Sequence, residues 1–128
     1  MKMKRVFKTK TFSRWSRKVV SDPALCQAAR EIEQGLFEAD LGAGLCKKRI
    51  AMPGQGKSGS SRTLVAKKHK EAIFFLAGRE KRESRTDFSD QEVEAAKIIA
   101  TGLQAASAQK LAELVAAEIL KEICNDAQ

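Results

Sequence analysis

The chain has 128 residues, of which 43% are hydrophobic and 31% charged, and a net charge of +8. One domain of this length buries about two-thirds of the surface its unfolded chain would expose, so neither a disulfide nor a metal is needed to hold it. No apolar run approaches membrane-spanning length, and the basic start Met1 to Arg5 is not followed by the long apolar stretch of a secretion signal.

Cys26, Cys46 and Cys124 are odd in number and far apart, without a C-x-x-C pair. That pattern favours a reducing compartment, and the expectation is a soluble cytoplasmic protein with three structural cysteines. The charge is divided into blocks. Residues 1–20 carry +8 and residues 45–85 carry +9, whereas 21–44 carry −4 and 86–128 carry −5. Segregated positive charge attracts polyanions, with nucleic acid as the default partner and an anionic membrane surface as the weaker one.

In chain order, Lys4 to Lys8 with Thr9 favours a short first strand. Phe12, Trp15 and Val19 then share one helical face, with Trp15 as a core anchor. Ser21-Asp22-Pro23 is a helix start, and Leu25, Ala29, Ile32 and Leu36 follow at helical spacing until Gly42 and Gly44. These two segments predict a helical hairpin.

Residues 45–52 alternate as a strand, placing Lys47 and Arg49 on one face and Lys48, Ile50 and Met52 on the other. A Gly- and Ser-rich loop, Met52 to Arg62, leads into a second strand over 62–67. The apolar run Ala72 to Ala77 does not alternate, which predicts a central strand buried on both faces. A charged segment with Arg79, Lys81, Arg82 and Arg85 leaves it. Ser89-Asp90-Gln91-Glu92 has the form of a capping box, and Val93, Ala96, Ile99, Ala100 and Leu103 continue the helix. Leu111, Leu114, Val115, Ile119 and Ile123 form a fresh apolar stripe read as a helix to the C-terminus. The order predicts an α+β domain with a mainly antiparallel sheet, the N-terminal helical hairpin and C-terminal helices.

Gly54-Gln55-Gly56-Lys57-Ser58 is no nucleotide-binding P-loop, because Ala51 stands where its first glycine belongs and a β-rich run follows. Ligand-spaced Cys, His, Asp or Glu clusters are missing from the sequence, so no metal and no small-molecule cofactor is expected. His69, among lysines in a turn, reads as an ordinary solvated residue. What remains is a concentration of Lys and Arg. Such residues suit attack by a ribose 2′-OH on its own phosphate, where charge must be stabilised and a proton moved. A lysine serving as base needs like-charge neighbours, and Lys81 has Arg79 and Arg82.

The run Lys47 to Val65, the segment Phe74 to Glu83, the helix start at Ser89 and the N-terminal Arg5 to Phe12 together resemble the RelE/HigB-like toxins of bacterial type II toxin–antitoxin modules. The resemblance covers most of residues 4–105, and the helical extension 106–128 lies outside it, packed on the same domain or on a partner. It implies a microbial-ribonuclease-like fold and a toxin that cuts mRNA in the ribosomal A site until its antitoxin binds. By position, the resemblance assigns Arg62 to the scissile phosphate, Lys57 to phosphate positioning and Lys81 to proton transfer. Lys47, Lys48, Arg49, Arg79, Arg82 and Arg85 are then RNA contacts. There is no Tyr, so a tyrosine-assisted scheme does not apply, and Phe88 is the nearest aromatic. The competing readings are a ParE-like toxin that poisons a topoisomerase and a non-catalytic nucleic-acid-binding protein.

Overall fold

The computed structural model describes residues 3–52, 56–80 and 87–125, with backbone alone for Met52 and residues 56–59. The helix starts form as their capping residues dictate. The Ser21 side chain accepts from the Ala24 N–H ahead of α2 (Asp22–Glu33), and Thr9 accepts from Phe12 N–H ahead of α1 (Lys10–Ser16). Both bonds of the capping box at Ser89 and Glu92 are made at the start of α3 (Asp90–Gln104).

Six strands form one sheet: β1 (Arg5–Thr9), β2 (Ala39–Gly42), β3 (Leu45–Met52), β4 (Gly56–Ala66), β5 (Ala72–Glu80) and β6 (Leu120–Ile123), in the order β2-β3-β4-β5-β1-β6. The sheet is mixed. β1 runs parallel to β5, and the other described pairings are antiparallel. As its unbroken apolar run predicts, β5 is interior, and Ala72 to Leu76 are all buried.

Alternation divides the core between the two faces. Val6, Cys46, Ile50, Val65, Ile73 and Phe75 meet Phe12 of α1 and Leu25, Ala29 and Ile32 of α2. On the other face Phe7, Leu45, Leu64, Phe74 and Leu76 meet Ala96 and Ala100 of α3 and Leu111 of α4 (Ala108–Ala116). Trp15 packs against Gly78 of β5, where a Cβ would fall within its ring.

Several expectations are corrected. Helix α2 stops before Gly35, which takes φ +86°, so Leu36 is exposed rather than part of the helical stripe. The C-terminal stripe does not continue as a helix. Glu118 adopts φ +62°, the chain reverses, and β6 pairs antiparallel with β1. Cys26 and Cys124 are joined by a disulfide that ties α2 to the end of β6, whereas only Cys46 is free and buried. His69 is also buried: Nδ1 accepts from the Glu71 N–H at 2.9 Å, and Nε2 donates to the Ala106 carbonyl at 2.8 Å. It pins the β4–β5 turn to the α3–α4 connection. No described helix is long and apolar enough to cross a membrane.

Candidate functional site

Three strands carry one cation each into the same row. Arg62 of β4 stands opposite Arg49 of β3 and opposite Arg79 of β5, so the three branch from neighbouring strands on the face that α3 partly covers. Like charges placed directly across a sheet destabilise it, so such a row needs counter-charge from elsewhere. Some is supplied locally. Arg79 pairs with Glu92 at 3.0 Å and lies over the Phe88 ring, 5.7 Å from its centroid. Lys47, on the same face of β3 as Arg49, pairs with Asp87 at 2.6 Å.

Arg49, Arg62 and Lys47 line a pocket of about 200 Å³ with Glu38 and Asp87. Glu38 accepts a hydrogen bond from the Arg49 backbone N–H at 2.6 Å. Arg62 Nη1 is closed off from solvent and has no hydrogen-bond partner among the described residues. A buried guanidinium N–H without an acceptor carries a desolvation cost that no described contact offsets.

Asp87 and Glu92, beside the row, are both held toward the ionised form. Partial burial raises the Asp87 carboxyl, but the hydrogen bonds from Lys47 and the Phe88 N–H outweigh it and hold the pKa below its ordinary value. Glu92 is lowered chiefly by the Ser89 N–H and further by Arg79. Conversely, burial pushes the Cys46 thiol up to about 12, so it is no nucleophile.

The structure brings Lys47, Arg49, Arg62 and Arg79 together but sends Lys48 to the opposite face. There its side chain is 7% exposed, with the ammonium held at 2.7 Å by Glu31 of α2 and at 2.9 Å by the Leu36 carbonyl. Lys81, Arg82 and Arg85 lie outside the described residues, as does the Lys57 side chain. The backbone of Lys57 and Ser58 is within β4, so no helix follows the glycine loop. Glu38 and Asp87 are the pocket residues that sequence reasoning missed. Asp87, two residues before the Ser89 cap of α3 and after a cationic run, offered only a weak charge signal.

The class so defined is a small basic α+β domain with a row of three arginines on one face of a mixed sheet. The chain matches the family described as "RelE toxin of RelE / RelB toxin-antitoxin system" over residues 4–123, and it belongs to that family. The matched region therefore runs beyond residue 105, through α4 and β6. No curated protein is significantly similar to the chain.

Proposed function

We infer that the chain is the toxin of a type II toxin–antitoxin module, acting in the cytoplasm as a ribosome-dependent, metal-independent mRNA endonuclease held inactive by a cognate antitoxin. Family membership supports the toxin role. The observation that carries the cleavage reading is the shielded Arg62 Nη1 without a partner, in a pocket it shares with Arg49 and Lys47.

In this reading Arg62 binds the scissile phosphate and stabilises the charge that builds on its oxygens as the ribose 2′-OH attacks. The bond from phosphorus to the 5′-oxygen breaks, leaving a 2′,3′-cyclic phosphate and a free 5′-hydroxyl. Lys57 positions the phosphate, and Lys81 transfers the proton. Arg49, Lys47 and Arg79 with Arg82 and Arg85 hold the flanking backbone, while Lys48 serves the fold. The Arg79–Glu92 and Lys47–Asp87 pairs restrain the cations beside Arg62.

Induced expression followed by transcript 5′-end mapping tests the reading. Cuts in translated frames support it. DNA damage without RNA cuts points to a topoisomerase poison, and arrested translation without cuts points to binding alone; either outcome overturns it.

A further inference from the structure

We propose that a groove between α1, the end of α4 and β6 is a second RNA-binding site, one that takes the phosphate backbone of a folded RNA rather than the strand to be cut. The groove has a volume of about 530 Å³ and is lined by Lys10, Ser13, Arg14 and Arg17 of the α1 segment and by Lys121 of β6. It shares no residue with the pocket around Arg62 and lies toward the other end of the strand order.

Cations of the N-terminal segment and of β6 fall into two sets. Lys4 Nζ donates to the Lys67 and His69 carbonyls, Arg5 is held by Glu122 at 2.9 Å, and Lys8 is buried against Asp22 at 2.9 Å. Those three serve the fold. Lys10, Arg14, Arg17 and Lys121 are exposed, and their side chains have no hydrogen-bond or ion-pair partner among the described residues. Two carboxylates also line the groove: Glu122 is already engaged by Arg5, which leaves Glu118 against four cations.

Positions 10, 14 and 17 follow helical spacing, so they stand along one side of α1 over a length of about 10 Å. Phe12 on the other side is buried in the core, which fixes the helix and its cationic side together. Guanidinium forks at Arg14 and Arg17 suit phosphate oxygens. The lining holds no aromatic ring on which the bases of a single strand could stack. Its apolar members offer no anchor for a peptide helix, since Leu120 is buried and Val115 half-buried. Phosphate contacts alone bind double-helical RNA by shape and charge, and that is the ligand these residues fit.

The proposal does not depend on cleavage, and its test separates the two. The probe is a fluorescent RNA hairpin with a stem of about 16 base pairs, titrated with the full chain. Replacing all four cations (Lys10→Ala, Arg14→Ala, Arg17→Ala, Lys121→Ala) should weaken hairpin binding about tenfold or more and flatten its logarithmic salt dependence by about 3. Lys70→Ala, which removes an exposed cation outside both pockets, should leave hairpin affinity within about twofold. A second pair, Arg14→Glu with Arg17→Glu, should weaken binding at least as much, and circular dichroism checks that each variant is folded. Unchanged affinity in the folded variants, or no hairpin binding by the parent chain, overturns the proposal. Tighter binding of polyglutamate than of hairpin, lost in the same variants, overturns it in favour of an acidic protein partner. Hairpin binding that needs the four cations in a chain that leaves transcripts uncut keeps this site and removes the cleavage reading; cut transcripts with hairpin affinity unmoved do the reverse.

Discussion

Arg62 and Arg49 stand directly opposite each other on β4 and β3, two guanidinium-bearing residues in a cross-strand position that favours opposite charges. Asp87 and Glu38 beside them balance the charge only in part, and Asp87 is taken by Lys47. The pair is suited to holding a phosphate between two strands. A short single-stranded RNA with a 2′-deoxy nucleotide at the cut position cannot react, so it measures grip alone. Arg62→Ala should weaken its binding by about 1.5–3 kcal/mol, the worth of a charge-assisted hydrogen bond, and exposed Arg49→Ala by less. Equal affinities in fluorescence anisotropy would remove Arg62 from the phosphate site.

Gly78 has no room for a side chain because Trp15 lies against it. Gly78→Ala should lower stability by about 1–3 kcal/mol, through displacement of the ring from its seat on β5. Trp15 is the only Trp in the chain, so its fluorescence reports the displacement directly. An unchanged urea midpoint and emission maximum would contradict this packing.

Much of this framework is legible in the sequence. Serine caps, the capping box, the alternation of β3 and the apolar run of β5 each state a local preference that the fold keeps. The elements that escaped have weak or ambiguous local signals. β2 is four residues at a sheet edge, half of them exposed, and β6 is four residues whose apolar ends fit a helix or a strand equally well. The break before β6 falls at Glu118, a residue type that announces no turn. Parallel pairing of β1 with β5 and the Cys26–Cys124 bond join positions far apart in the chain, which no local pattern records. At the site, alternation places Lys47 with Arg49, but only strand register sets Arg62 between Arg49 and Arg79.

Acid should unfold the protein through its paired carboxylates. Glu31 is lowered chiefly by Lys48 and then by Gln27, and Glu92 by the Ser89 N–H. A carboxyl with a depressed folded-state pKa stabilises the fold above its unfolded value, and that contribution is lost as pH falls through the folded value. Urea midpoints should therefore be level from about pH 7 to 5 and fall below about pH 4. Glu92→Gln should make the fall shallower; a midpoint as high at pH 3 as at pH 7 would refute the assignment.

The Cys26–Cys124 disulfide spans 98 residues of sequence. Closing a loop of that size restricts the unfolded chain, a contribution of about 4–5 kcal/mol in the loop-entropy account. Reductant, or Cys26→Ser with Cys124→Ser, should lower the melting temperature of the oxidised chain, while Cys46→Ser should not abolish the response to reductant. No response to reductant would contradict the bond.

The central claim, that Arg62 serves RNA cleavage, is tested most directly in a translating extract supplied with one defined mRNA. Primer extension should show cuts within the translated frame in the presence of the parent chain, and folded Arg62→Ala should reduce the initial cutting rate by about 100-fold or more. Cuts at the parent rate in Arg62→Ala, or no cuts by the parent chain, would contradict the account.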